Sequence, residues 1–153
     1  SDIYNYEIDN YADFFVDPEI YEDLKQDFQN EDVIISNDGK IGNVSMITLE
    51  DKAIFQSHIK RIRPKIDSNI SPYYIFLVLS SFVGQIQFDK FTVIQTTIPT
   101  ISNRVNEIMI PLIDDKMISI LSNEVQEAFQ LIVEKKKIMR KIIEEINSMF
   151  ITN

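Results

Sequence analysis

Short apolar segments broken by turn signals dominate the first part of the chain. Val33–Ile35 and Val44–Met46 are rich in apolar residues and lie on either side of "NDG" at 37–39, a strong turn signal, so they predict two strands joined by a turn. Alternation of apolar and polar positions over 54–63 predicts another strand, and alternation over 107–112 predicts a closing strand. The pattern indicates an α+β domain over 1–112 with a mixed, twisted β-sheet and short helices.

Two further segments of the same region have helical patterns. The segment 17–28 offers Asp17 as a cap, a proline in the first turn and an apolar face, so it predicts a short acidic helix. The segment 71–86 begins with Ser71 as a cap and Pro72 in the first turn, and it is apolar on nearly all sides. A helix without a polar face is predicted to be buried.

The last part of the chain has an unbroken heptad pattern, which predicts one coiled-coil helix within 113–153, about 50 Å long at 1.5 Å per residue. Lys135 is the one polar residue among its ten seam positions. A helix packed on its own domain is the alternative, but a seam of five heptads favours a partner helix. The remaining seam residues are the predicted helix interface: Ile118, Leu121, Val125, Ala128, Ile132, Met139, Ile142, Ile146 and Met149.

The net charge of -9 is concentrated at the start of the chain. Residues 1–32 carry 11 acidic residues and one basic residue, whereas 33–111 carry six acidic and eight basic residues. Residues 112–153 are nearly balanced, with seven acidic and six basic residues. The mildly basic middle permits a nucleic-acid surface although the whole chain is acidic.

Several absences narrow the class of protein. The chain has no cysteine, so neither a disulfide nor a thiolate metal site is predicted. It has no apolar run of about 20 residues and no basic-then-apolar leader, and these absences favour a cytoplasmic protein. Because the chain begins at Ser1 and runs directly into an apparent strand, we expect it to be a piece of a longer protein.

Catalytic patterns are scarce. The single histidine, His58, lies in a predicted strand, where a histidine is usually structural or exposed. The sequence "NDGKIG" lacks the spacing of a phosphate-binding loop. The sequence "SPYY" at 71–74 lacks the second proline of the amino-methyltransferase motif that it faintly echoes. An enzyme is therefore the least favoured class, and no catalytic residue, metal ion or cofactor is predicted.

The segment "IQTTIPTISNR" at 94–104 crowds hydrogen-bonding side chains between isolated isoleucines. Glutamine can pair with adenine, arginine with guanine, and threonine offers thymine a hydroxyl and a methyl group. The alternative is a surface loop whose polar side chains bond to its own backbone. The turn between the first two strands contains Gly39 and Gly42, two of only three glycines, which predicts positive φ or a close approach.

Five segments in sequence resemble one known family: "NEDVIISNDGKIGNVSMI", "IFQSHIKRIRPK", "SPYYIFLVLSS", "IQTTIPTISNRVNEIMIPL" and the long lysine-rich helix. The chain resembles the target recognition domain of a type I restriction–modification specificity subunit, or the equivalent C-terminal recognition region of an adenine-N6 DNA methyltransferase. The family motif "GDILIS-x-x-G-x-IG" corresponds to 31–42, with Asn30-Glu31 where a glycine is usual. The motif "NEI-x-IP" corresponds to 106–111.

The resemblance implies a non-catalytic specificity component that reads half of a bipartite sequence in double-stranded DNA. Methyl transfer or cleavage then resides on a modification (methyltransferase) subunit, on a restriction subunit or on a domain outside this chain. The long helix is then a spacer that packs antiparallel on the helix of a second recognition half or of a second copy, or packs on the methyltransferase. The expected DNA contacts are Asn37, Asp38 and Lys40 in the turn, Gln95, Thr96, Thr97 and Arg104 in the polar segment, and Lys60, Arg61 and Arg63 on phosphates. The alternative is a coiled-coil protein-interaction module that does not bind DNA.

Overall fold

The computed structural model describes residues 3–4, 6–8, 16–24, 26–95 and 97–150. In that part of the chain the strands are β1 (Ile3–Tyr4), β2 (Glu7–Ile8), β3 (Val33–Ser36), β4 (Val44–Met46), β5 (Ile59–Ile62), β6 (Val93–Gln95) and β7 (Ile98–Thr100). The helices are α1 (Pro18–Leu24), α2 (Pro72–Ser80), α3 (Phe82–Phe91), a 3-10 helix (Ser102–Glu107) and α4 (Asp115–Phe150). The predicted α+β class with a long C-terminal helix is confirmed.

The described strands pair antiparallel and form three small sheets. The central sheet has the order β4-β3-β5, and the pairs β1-β2 and β6-β7 form separate two-stranded ribbons. One mixed sheet was expected from the sequence. The antiparallel pairing follows from short connections, because a parallel neighbour needs a crossover of a dozen or more residues, whereas β3 and β4 are joined by the turn 37–43.

Strand β3 is buried on both faces. Val33 and Ile35 belong to the larger core, which also contains side chains of α2, α3 and α4. Ile34 points to the opposite face and packs with Ile8 and Ile47 in a smaller core. Because neither face of β3 is exposed to solvent, its first three residues, Val33–Ile35, are an uninterrupted apolar run rather than an alternating pattern.

The strand predictions are confirmed in the first half of the domain and wrong at its end. Both strands around the "NDG" turn are present, and the strand expected over 54–63 is limited to β5. The closing strand expected over 107–112 is absent. Instead, Met109 bonds to the side chain of Gln87, which accepts from its N–H (2.8 Å) and donates to its carbonyl (3.0 Å). An amide side chain thus replaces the neighbouring strand.

Both predicted helix caps are confirmed. The Asp17 carboxylate accepts from the N–H of Glu19 (2.9 Å) at the start of α1, and the Ser71 hydroxyl accepts from the N–H of Tyr73 (3.2 Å) at the start of α2. The apolar face of α1 remains exposed, since none of its residues is buried. Helix α2 is largely buried, as its apolar composition predicts.

The single helix expected over 71–86 is two helices. The chain leaves helical geometry at Ser81, whose ψ is 170°, and α3 begins at the next residue. Gly84 makes this bend compact, because an added Cβ there would lie 2.4 Å from the Cα of Leu79. The backbone of α2 therefore occupies the space that a larger residue would need.

Helix α4 packs one side on the domain. Its buried residues are Ser122, Phe129 and Lys136, spaced by seven. The Phe129 ring meets the edge of Phe76 with centroids 4.8 Å apart. The Lys136 ammonium forms a buried ion pair with Asp51, so this side of the helix is fixed to the domain. Among the described helices, none combines the length and apolar character needed to cross a membrane.

We predict that Gly84→Ala lowers the free energy of unfolding by about 1–3 kcal/mol, because the new methyl group overlaps the backbone of α2. In a helix with free space around the glycine, the same change stabilises by about 1 kcal/mol. The sign of the change in the free energy of unfolding therefore shows whether the close contact is present. Urea titration followed by circular dichroism measures it. The control Val83→Ala, at an exposed neighbouring position, should stay within about 0.5 kcal/mol. A more stable Gly84→Ala protein would contradict the close contact.

Candidate nucleic-acid interface

The structure brings together two of the segments that the sequence predicts for DNA contact. Asp38 forms a β-bridge with Thr100, and the N–H of Gly39 donates to the carbonyl of Pro99 (3.0 Å). The N–H of Ile101 donates to the carbonyl of Asn37 (3.0 Å). The turn after β3 and the β6-β7 hairpin thus form one continuous surface feature, although about 60 residues separate them in the chain.

The turn is held in shape by its own backbone and by α3. Gly39 and Gly42 have φ of 73° and 84°, so the predicted positive φ is confirmed at both. The hydroxyl of Ser36 accepts from the N–H of Asn43 (3.0 Å), and the Gln85 side chain donates to the carbonyl of Gly42 (3.0 Å). An added Cβ at Gly42 would lie 3.0 Å from the ring of Phe88, which explains the second glycine.

Asp38 is the centre of a small polar network. Its carboxylate lies 2.8 Å from Nδ1 of His58 and accepts from the Asn37 side chain (2.8 Å). The pKa of Asp38 is lowered, first by a hydrogen bond from the Thr100 hydroxyl and then by His58. Sequence reasoning missed Thr100 and His58 as partners, since no local pattern links them. Within the described residues, no cluster of His, Asp and Glu could hold a metal ion.

The side chains that the structure describes near the tip of the hairpin are exposed. Thr97 is exposed, and Ile94 and Ile98 are 75% and 57% exposed. Thr100, at the base of the hairpin, is buried. The predicted contact residue Thr96 and the side chain of Gln95 lie outside the described part of the chain.

Arg61 and Arg63, which the sequence predicts for phosphate contacts, bond to acidic residues of this chain. The Arg63 guanidinium forms two hydrogen bonds to the buried carboxylate of Asp32, one of them 2.7 Å long. These bonds to Asp32 are the main cause of the raised pKa of Arg63. Both arginines also contact Asp27, and Arg61 lies over the ring of Phe28. The pair therefore ties the segment before β3 to β5.

The other predicted cations differ in how they are engaged. Arg104 lies 4.8 Å from the centroid of the Phe91 ring and pairs with Glu107 through two nitrogens (3.0 and 3.1 Å). Lys40 is exposed in the turn, and Lys60 is half-buried on β5. Neither lysine has an ion pair to another described residue within 4.0 Å. Lys40 and Lys60 are thus the predicted cations whose charge is least neutralised by the chain itself.

The predicted seam of α4 is divided between the domain and solvent. Val125 and Ile132 pack against the larger core, and Ile118 and Leu121 are half-buried. The last ion pair between the helix and the domain joins Arg140 to Glu50 (2.7 Å). Of the later seam residues, Met139 lies immediately before Arg140 and the others lie after it. The exposed seam residues are Ala128, Met139, Ile142, Ile146 and Met149.

Comparison with known protein families identifies the family of this chain. The family model described as the type I restriction modification DNA specificity domain matches residues 16–147. The match covers most of the chain, so the chain belongs to this family. It has a DNA specificity role in restriction–modification, and membership implies DNA and a modification subunit as partners. No curated protein matches the chain.

We predict that Asp38→Asn reduces the acid sensitivity of folding. Because the pKa of Asp38 is lowered from 3.8 in the folded protein, the carboxylate stabilises the fold above pH 3.8. That contribution is lost as the pH falls through the lowered value. The urea midpoint is measured above pH 3.8 and below the lowered pKa of Asp38. Between these two conditions it should therefore fall less for Asp38→Asn than for the wild-type protein.

The variant His58→Gln is the matched control for this experiment. It removes the second cause of the lowered pKa but leaves the hydrogen bond from Thr100, so its acid sensitivity should lie between the other two. Equal losses of stability in all three proteins would contradict the network around Asp38.

Proposed function

We propose that this chain recognises one half of a bipartite sequence in double-stranded DNA for a restriction–modification complex. The observation that carries the proposal is the joining of the turn Asn37–Lys40 to the β6-β7 hairpin through two backbone hydrogen bonds, which form one β-bridge. Both segments contain side chains suited to base edges or phosphates. Their union in a chain of the DNA specificity family supports one recognition surface.

The shape of this surface suits the major groove. A two-stranded β-ribbon fits into that groove, where each base pair presents a distinct pattern of donors, acceptors and methyl groups. The hairpin is such a ribbon, and its base is fixed by buried Thr100 and by the network around Asp38. Fixing the ribbon before DNA binds lowers the entropy cost of ordering it in the complex.

Phosphate contacts are proposed mainly for Lys40 and Lys60. Contacts with phosphate position a protein on the duplex and contribute the salt-dependent part of affinity. Arg61 and Arg63 have their charge offset by Asp27 and Asp32, so they support the fold before they contribute to DNA binding. Arg104 is aligned by Phe91 and Glu107 and is proposed as a contact at the edge of the surface.

No catalytic step is assigned to this chain. Methyl transfer from S-adenosylmethionine acts on an adenine that is turned out of the duplex, and it is assigned to the modification subunit. Cleavage is assigned in the same way to a restriction subunit. The chain's own part is to hold the complex on the correct sequence.

Selection from a random duplex pool at low salt, followed by sequencing of the bound DNA, tests recognition directly. We expect one short enriched motif, with the chain alone or with its modification subunit. Lys40→Ala should weaken binding to all sequences and reduce the slope of log affinity against log salt by about 1. Replacing Gln95 and Thr97 with Ala should change the motif or its affinity, because these side chains are proposed to contact bases.

Lys116→Ala, at an exposed position in the first turn of α4, is the control for the loss of a charge. It should leave the motif, the affinity and the salt dependence unchanged. Absence of any enriched motif with the modification subunit present would contradict sequence recognition. An unchanged motif and affinity after replacement of Gln95 and Thr97 would contradict the assignment of the hairpin.

The exposed seam of α4 favours a second function, which is helix pairing. Ile142, Ile146 and Met149 are about half exposed or more, and a partner helix would cover them. The first half of α4, 115–132, carries three acidic residues and one basic residue, whereas its second half, 133–150, carries three acidic and five basic residues. A second copy of this chain or a second recognition half fits this surface.

We expect Ile142→Asp to abolish helix pairing, because it places a charge in the apolar seam. Sedimentation analysis across a range of concentrations measures the assembly state. Glu144→Gln, on the side of the helix away from the seam, should leave it unchanged. Assembly that persists in Ile142→Asp would exclude the seam as the interface. Pairing without any DNA binding would instead favour the protein-interaction module.

A further inference from the structure

Two isoleucines near the tip of the β6-β7 hairpin belong to neither hydrophobic core. Ile94 and Ile98 are 75% and 57% exposed, although each lies within a paired strand. An isoleucine that is fully buried contributes about 1.5–3 kcal/mol to folding, and most of that contribution is forgone here. The same hairpin buries Thr100 and packs its base against the turn, so the apolar exposure is confined to its outer part.

The isoleucines lie on opposite faces of the ribbon. Ile94 is paired with Pro99, and Ile98 is paired with Gln95. Paired residues share a face and successive residues alternate, so Ile94 and Ile98 project to different sides near the tip. A ribbon that enters a groove with its tip first therefore presents aliphatic methyl groups to both walls.

DNA fits this surface better than a protein partner does. The ribbon has only six paired residues, whereas a stable protein interface buries about 800 Å² on each partner. The exposed hydroxyl of Thr97 and the ammonium of Lys40 lie in the two segments that the Gly39–Pro99 hydrogen bond joins. Polar and cationic groups around a small aliphatic tip suit a groove that mixes polar edges with isolated methyl groups.

The apolar group available in the major groove of unmodified DNA is the C5-methyl of thymine. We propose that Ile94 and Ile98 contact thymine methyl groups, so that the recognised half-site contains thymine at one or two positions read by the hairpin. This inference rests on the proposed function and makes it more specific. It assigns to the two isoleucines a discrimination between thymine and cytosine that needs no hydrogen bond.

Uracil substitution isolates the proposed contact, because uracil has the hydrogen-bonding groups of thymine but no C5-methyl. The duplex selected by the chain with its modification subunit is the probe, and each thymine is replaced by uracil in turn. At one or two positions the wild-type protein should bind the uracil duplex about fourfold more weakly, the change expected for loss of one buried methyl group. Ile98→Ala or Ile94→Ala should abolish the preference at one of these positions.

Two further variants complete the experiment. Ile98→Val keeps most of the aliphatic surface and should retain the preference, whereas Ile66→Ala, at a fully exposed position outside the hairpin, should not alter it. Equal affinity for thymine and uracil at every position would overturn the inference and leave sequence recognition intact. A preference that persists in both alanine variants would also overturn it. Failure to select any motif would instead overturn the proposed function itself.

Discussion

Burial of β3 on both faces is the constraint on which the rest of the structure depends. Its isoleucines and valine supply two cores at once, one with α2, α3 and α4 and one with Ile8 and Ile47. A strand in this position needs a neighbour on each edge, because buried backbone groups must be hydrogen-bonded. Strands β4 and β5 meet that need. The direction in which the chain leaves β3 is then fixed, and so is the position of the turn that follows.

Charged residues at the two ends of β3 connect this core to the surface. Asp32, just before the strand, is buried and bonds to Arg63, while Asp38, two residues after it, bonds to His58 and Thr100. The contact between Asp32 and Arg63 neutralises part of the basic charge of residues 33–111 and stabilises the fold. The second contact, that of Asp38, fixes the hairpin beside the turn. The basic residues near the proposed DNA surface thus divide into arginines that support the fold and lysines that remain available to phosphates.

Helix α4 is fixed to the domain along one side and leaves its later seam residues exposed. The buried Lys136–Asp51 pair and the contact of Phe129 with Phe76 fix one side of the helix to the domain. Losing one member of a buried ion pair leaves an uncompensated charge, which makes the position of Lys136 hard to change. The later seam residues Ile142, Ile146 and Met149 remain exposed. A partner helix would therefore be held in a fixed direction relative to the β6-β7 hairpin, as the proposed reading of two half-sites at a set spacing requires.

The sequence by itself determined the features that depend on neighbouring residues. These were the strands around "NDG", the caps Asp17 and Ser71, and the long helix, because turn chemistry, capping and periodicity act within a few residues. Family membership also followed from the order of such segments. Tertiary structure alone decided which distant groups are in contact. Gln87 bonds to Met109 where a strand was expected, and Thr100 bonds to Asp38. Gly84 permits the bend that divides the expected single helix into two. These contacts join residues that are distant in the chain or depend on the space between elements, and no local pattern encodes either.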